Sequence, residues 1–222
     1  MNHPLSKRNR KRVEILRSAA AVFRRYGYHG TRVDEIARRL GMKTSNLYYY
    51  FRSKEEILFL CHDYSLDILL GLVKQLDAEP LSTTDKLRRL IAGFAHVVID
   101  ELQGTALALD LEDLPTHLRR KIIAKRDRFD RSIRQLVKEG MSEHVFRSGD
   151  PKLLTFAILG AVNWIPRWFR PEGTINSDEI GRVFADFVVN GLMSSTRDNA
   201  HSSEPTRVNR KVARRHNLAR VS

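Results

Sequence analysis

A single cysteine, Cys61, stands in 222 residues, which excludes an internal disulfide, and no cluster of Cys and His supplies the ligand set of a structural zinc site. No run of 18 or more apolar residues occurs, so no membrane-spanning helix is expected. The opening stretch MNHPLSKRNRKR leads into no uninterrupted apolar segment of the kind a secretory signal needs. These absences point to a cytoplasmic chain with no membrane partner, no metal and no cofactor. Strand-like alternation of useful length is missing, and proline is scarce at seven residues, which leaves an all-α class. There is no Gly-rich phosphate loop, the eight histidines are scattered, and Cys61 and His62, adjacent on a helix, are expected on different faces. Nothing resembles a catalytic constellation, so an enzyme acting on acyl-CoA or a similar substrate is not expected.

What is present is positive charge, and it is unevenly placed. Lys and Arg number 39 against 26 Asp and Glu, a net charge of +13. Residues 1–12 carry +5 with no acid, residues 13–60 carry +4, residues 61–196 carry −1, and residues 197–222 carry +5. At 42% hydrophobic residues the chain is too apolar for disorder, but its two ends are not. Basic tails alone would suit a nonspecific DNA-compacting protein, or a solubilising function. The N-terminal charge differs because it abuts a recognisable motif.

The apolar periodicity predicts helices almost throughout. Leu16, Ala19, Ala20 and Phe23 share a stripe over residues 13–26, with Gly27 as the stop. Thr31 precedes Asp34 by three residues, a capping-box-like start to VDEIARRL, which ends at Gly41. TSNLYYYF follows, and a long helix begins near Lys54. Further helices are expected over residues 83–103, from Pro115 to a stop at Gly140, from the cap pair Asp150-Pro151 through Ile165, and from a cap at Ser177 through Leu192. After Ser194 the periodicity vanishes. The expected organisation is a basic disordered arm over 1–12, a helix-turn-helix domain over 13–53, a second domain over 54–195 and a basic disordered tail over 196–222, with about nine helices in all.

The segment from Thr31 to Tyr50 is helix, glycine-containing turn, helix, with the second helix polar at its start and apolar further on. Ala37 and Gly41 are small enough for two helices to cross closely, and the free first turn suits base edges in a major groove. A generic helical hairpin can show the same spacing. The residues themselves go further: TRVDEIARRLGMKTSNLYYYFRSKEEIL resembles the DNA-binding segment of the TetR family of bacterial regulators, matching at Ile36, Ala37, Gly41, Leu47, Tyr48, Phe51, Ser53, Lys54 and Glu55. The resemblance implies that Thr44, Ser45 and Asn46 read base edges, that Tyr48 and Tyr49 make mixed base and phosphate contacts, and that Tyr50 and Lys54 contact phosphate. It implies too that Thr31 offers its hydroxyl and backbone N–H to phosphate. Two departures stand out: Lys43 replaces the usual capping residue of the turn, offering phosphate a cation, and Tyr50 stands where the family commonly has His. Tyr48 has an alternative role in packing.

In this family the C-terminal domain binds a small ligand and forms the dimer. Residues 158–192 resemble a subgroup typified by regulators of fatty-acid and steroid degradation, through Gly160-Ala161, Asn163-Trp164, Trp168, Arg170-Pro171, Gly173 and Gly191-Leu192. The last two helices are the natural dimer pair, through Ala157, Gly160, Ala161, Phe184, Phe187, Val188 and Gly191; the alternative is that their apolar stripes pack inside one monomer. Trp164, Arg167 and Trp168 lie within about one turn, where a guanidinium between indoles suits the phosphate or thioester end of an acyl-CoA, with Phe94, Val98, Leu107 and Phe129 around the acyl part. The alternative makes both tryptophans core or interface anchors and Arg167 a surface ion pair. The expected function is a homodimeric, ligand-responsive repressor of a palindromic operator, released by an acyl-CoA thioester or related degradation intermediate. A regulator of efflux genes sensing a drug-like ligand is the alternative.

Overall fold

The computed structural model describes residues 6–101, 111–170 and 172–194. In chain order it contains α1 (Lys7–Gly30), α2 (Val33–Arg39), α3 (Thr44–Tyr48), α4 (Lys54–Ala78), α5 (Thr83–His96), a π-helical turn Val97–Glu101, a 3-10 turn Leu111–Asp113, α6 (Thr116–Ser142), α7 (Pro151–Trp168) and α8 (Ser177–Leu192). The all-α class is correct. Among the described residues the β pairing amounts to a single antiparallel bridge, Phe146 with Met193. No helix of the described residues is long and apolar enough to cross a membrane, and no cluster of three or more His, Cys, Asp or Glu among them could hold a metal ion.

Several local expectations change. The basic arm is not disordered over residues 7–12, because α1 already begins at Lys7. The Ser6 hydroxyl caps it by accepting from the Asn9 N–H at 3.2 Å, and Lys11 pairs with Glu14 at 2.9 Å, so good helix formers follow a good cap. Residues 1–5 and the expected tail from 196 onward lie outside the described residues, as does Leu107. Gly27 does interrupt the helix, at φ 71° and ψ 171°, but one further turn follows to Gly30. The last helix is capped by Asn176, not Ser177: the Asn176 side-chain Oδ1 accepts from the Glu179 N–H at 2.8 Å. Gly140 does not stop α6, which runs on to Ser142. It is there for close approach, since a Cβ at that position would collide with the Phe146 ring. The Asp150-Pro151 start is as expected, with the Asp150 carboxylate accepting from the Lys152 N–H at 2.7 Å.

One hydrophobic core runs through both halves. At the N-terminal end Ile15, Ala19, Phe23, Ile36, Leu47 and Phe51 are buried, together with Ile57, Leu58 and Cys61 of α4. α4 therefore serves both halves: it packs on α1 and, further along, on α5 and α6, while α5 lies along α8 and α6 against α7. Burial of this many large side chains outweighs the low helix propensity of the short pieces, which would not hold α2 or α3 in isolation. A second link between the halves joins His29, at the end of α1, to Asp113, Nε2 to Oδ1 at 2.7 Å.

Candidate nucleic-acid interface and the helical domain behind it

The turn between α2 and α3 is made by the backbone. Gly41 adopts φ +64°, its N–H donates to the Arg38 carbonyl and the Met42 N–H to the Ala37 carbonyl, both at 3.0 Å. This pair of bonds closes α2 and turns the chain sharply into α3, and a left-handed φ there favours glycine. α2 itself lacks the expected capping box: its N-cap is Arg32, with no side-chain cap.

α3 begins after Lys43, whose side chain is exposed and caps nothing. Leu47 is fully buried, which fixes the helix by one face and turns the other outward. On the outward face Ser45 and Asn46 are exposed and Thr44 is half-buried. Tyr48 and Tyr49 are 50% and 70% exposed, so Tyr48 divides between packing and solvent. Tyr50 is half-buried and meets Tyr49 edge-on, ring centroids 5.2 Å apart. The residues expected to read bases thus share one accessible surface of hydroxyls, an amide and phenols, the groups that suit groove edges and phosphates.

Two basic residues join this surface that the sequence left in a disordered arm. The Arg8 guanidinium lies 5.6 Å from the Tyr49 ring centroid and that of Arg12 lies 5.3 Å from the Phe51 ring centroid. The cue was available: Ser6 followed by a run of Lys and Arg continuous with the first helix is a start signal.

Two expected phosphate contacts are corrected. Thr31 is buried at 2% exposure; its hydroxyl donates to the Gly27 carbonyl at 2.7 Å and its N–H to the Tyr28 carbonyl at 3.2 Å. Both donors close the turn at the end of α1, leaving none for phosphate. Lys54 is likewise committed: its ammonium donates to the carbonyls of Tyr28 and Thr31, each at 3.0 Å, and stands 4.3 Å from the Tyr28 ring centroid. A cation satisfying the last carbonyls of a helix is a C-terminal cap with favourable dipole geometry. Next to it the Tyr28 hydroxyl donates to Glu55 at 2.8 Å. Burial, then that hydrogen bond, push the Tyr28 phenol up, while the Ser53 hydroxyl, a backbone N–H and Tyr28 hold the Glu55 carboxyl down. Ser53 caps α4, its hydroxyl accepting from the Glu56 N–H at 3.2 Å. The Ser-Lys-Glu motif is therefore a joint between α1 and α4.

In the second half the expected ligand residues do not converge. Phe94, Val98 and Phe129 are buried, with the Phe94 and Phe129 rings edge-on at 5.0 Å. Trp164, Arg167 and Trp168 are exposed on the outward side of α7, Trp164 at 62%. Position on opposite sides of the helix explains the separation: Val162 and Ile165 take the inward face. Arg167 lies 5.9 Å from the Trp164 ring centroid, and Trp168 stacks on Phe184 of α8 at 6.3 Å. The cation and the indole are thus neighbours, as expected, while the aromatic wall lies elsewhere.

Most of the expected dimer residues do face outward. Leu153, Phe156, Ala157, Gly160 and Trp164 form an exposed stripe on α7; Val183, Phe187 and Gly191 form one on α8, with Phe187 at 76%. Ala161 and Phe184 are half-buried, and a Cβ at Gly160 or Gly191 would meet nothing within 4 Å. Val188 is the exception: at 9% exposure it faces its own core.

Residues 15–61 match the family described as bacterial regulatory proteins, tetR family, and residues 80–192 match the tetracyclin repressor-like C-terminal domain. The HTH-type transcriptional repressor KstR2 of Mycolicibacterium smegmatis is 28% identical over 198 residues, covering 85% of this chain and 93% of that one. Among solved structures, the TetR family transcriptional regulator PfmR from Thermus thermophilus superposes with a TM-score of 0.72 at 32% identity, over 81% of this chain and 99% of its own. AibR in complex with isovaleryl coenzyme A and operator DNA shares the fold, with a TM-score of 0.69 at 24% identity over 82% and 98% of the two chains. The matched segments take in both the helix-turn-helix and the helices that carry the exposed stripe, and the chain belongs to the TetR family of bacterial transcriptional regulators.

Proposed function

We propose that this regulator is a homodimeric repressor of a two-fold operator and that a coenzyme A thioester of a degradation intermediate releases it. The observation that carries the reading is the paired outward stripe of α7 and α8, where large apolar side chains and two unobstructed glycines occupy an exposed face. Contiguous apolar surface of this kind marks an interface, and two helices from each protomer make a four-helix contact with two-fold symmetry. Such pairing fixes the distance between two copies of α3, so the operator is an inverted repeat with half-sites about one helical turn apart or slightly more.

Release follows by linkage. A ligand that favours a different separation of the two recognition helices lowers operator affinity by its own preference for that state. The joint at Ser53, Lys54 and Glu55 ties α4 to α1, so a shift of α4 in the second half moves the helix-turn-helix with it. Similarity to the KstR2 repressors supports repression, and similarity to AibR, solved with isovaleryl coenzyme A and operator DNA, supports a thioester effector. Arg167 beside Trp164 supplies a cation and an indole for the coenzyme A end.

Fluorescence anisotropy with the DNA upstream of the chain's own gene tests this. Saturable binding at two protomers per site, competed poorly by bulk DNA and reversed by micromolar acyl-CoA, is the expected result; binding that bulk DNA abolishes equally, or that no acyl-CoA reverses, overturns it.

A further inference from the structure

Tyr49 is the most exposed of the three consecutive tyrosines, at 70%, and it stands at the end of a helix of only five residues. Its N–H reaches back to the Ser45 carbonyl at 3.3 Å, but its side chain lies largely in water. A phenol in that position keeps its rotamers open, and ordering it against DNA costs binding free energy unless the ring is already held. Two contacts hold it. The Tyr50 ring meets it edge-on, centroids 5.2 Å apart and planes at 89°, and the Arg8 guanidinium lies over it, 5.6 Å from the centroid.

The setting of Arg8 on α1 explains the second contact. The Ser6 cap fixes where the helix starts, and Arg8 and Arg12, four residues apart, share one face. Arg12 lies over the ring of Phe51, which is buried at 1% exposure. That face is thereby registered against the turn that follows α3, and Arg8 falls one helical turn earlier, over Tyr49. No acid occupies the first turn of α1, and Glu14 is taken by Lys11 at 2.9 Å. A carboxylate would draw the guanidinium away from a ring. With none in that turn, the planar cation lies on the aromatic face, a contact that suits arginine better than lysine.

We propose that Arg8 is a positioning residue for operator discrimination: it fixes the Tyr49 ring so that the phenol meets the DNA in one orientation. The inference rests on the operator binding proposed above and names a side chain of the first helix that sharpens it. A direct contact with phosphate is the competing account of an arginine at this place, and the two differ in what they change. A phosphate contact adds affinity to all sequences alike and shows in the salt slope. A positioning contact changes the ratio of operator to bulk DNA affinity, and acts only while residue 49 carries a ring.

Competition gel shifts on the full chain measure that ratio, with the DNA upstream of its gene against bulk DNA, in a double-variant cycle. Arg8→Lys keeps the charge and loses the planar stack, so the ratio falls about two- to fivefold while the salt slope stays as in the wild type. The same substitution lowers the ratio as much in Tyr49→Phe, which keeps the ring, and has no effect in Tyr49→Leu, which does not. A ratio unchanged by Arg8→Lys, or a fall that persists in Tyr49→Leu, overturns the proposal. Should Tyr49→Leu lose operator preference outright, magnetic cross-relaxation between the Arg8 side chain and the Tyr49 ring protons in the wild-type operator complex carries the test. Its presence, together with the fall in Arg8→Lys, supports the proposal, and its absence overturns it. Operator binding reversed by acyl-CoA without this coupling leaves the repressor reading standing and removes the present one. Coupling on an operator that no acyl-CoA releases does the reverse.

Discussion

The Lys54 ammonium caps the carbonyl of Tyr28 at 3.0 Å while standing 4.3 Å from the centroid of the same residue's ring. Backbone and side chain of one residue are thus held by a single cation, and α4 cannot tilt away from α1 without breaking both contacts. The Tyr28 hydroxyl adds a third tie, to Glu55. A joint built this way transmits motion in place of absorbing it.

Lys54→Met should therefore lower stability by about 1–3 kcal/mol through two unmade carbonyl bonds, and weaken operator binding without altering its salt dependence. Salt titrations of operator affinity check this. Had Lys54 been a phosphate ligand, the slope would fall by about one unit for each lost contact.

Asn46→Ala removes an exposed amide from the face of α3 that Leu47 turns outward. Specific affinity should drop by about 1–3 kcal/mol for each base pair no longer read, with nonspecific binding nearly unchanged. Competition gel shifts measure both, and an unaltered specificity ratio would remove Asn46 from the reading set.

Phe187→Glu places a charge at the most exposed apolar position of α8. In a monomer it faces water and should leave the helical circular dichroism signal unchanged and the stability within about 0.5 kcal/mol of wild type. In the proposed dimer it puts two carboxylates in an apolar contact, so sedimentation should show a folded monomer with weakened operator binding.

Burial, and then the Arg126 guanidinium, hold the His62 imidazole down to about 3, whereas in the unfolded chain it titrates near ~6.5. Between those values the unfolded chain binds a proton that the folded chain refuses. Stability is therefore full above about pH 6.5 and declines as the pH falls below it, by about 1.4 kcal/mol per unit from this group. Urea unfolding at about pH 7 and pH 5.5 should show the decline, and His62→Phe should remove that part of it.

Gly140→Ala drives a methyl group into the Phe146 ring, at the turn where α6 hands over to α7. About 1–3 kcal/mol of destabilisation is expected from the forced repacking, and Phe146→Leu in the same chain should recover part of it. Thermal melts of the single and double variants decide the matter.

How far the sequence carries depends on whether a residue acts locally. Gly41, Leu47, the Asp150-Pro151 cap and the exposed stripe through Gly160 and Phe187 follow from periodicity, turn chemistry and the family resemblance, all of which operate within a few residues. Thr31 also acts locally, since its donors turn back on Gly27 and Tyr28 a few residues before it, a closure that the family resemblance overrode. Lys54 was misassigned for the opposite reason: its partners at Tyr28 and Thr31 depend on how α1 and α4 cross, and nothing in its spacing states that crossing. The same holds for Phe94 and Trp164, whose separation across α7 is set by which face of that helix meets α5 and the π-helical turn. The pairing of His62 with Arg126, 64 positions apart, has no local signature at all.

The bridge between Phe146 and Met193 is completed by the Arg147 N–H donating to Leu192 at 2.8 Å and the Ser194 N–H to Val145 at 3.1 Å. It fastens the exit of α8 beside the end of α6. The beginning of α6 lies next to Asp113 and hence to His29 of the DNA-binding half, and its 27 residues span about 40 Å. A fluorophore placed at Ser194 would thus stand about a helix-length from the His29 end of the DNA-binding half, and energy transfer from there to an end-labelled duplex would serve as a ruler for how the two halves of the molecule lie on DNA.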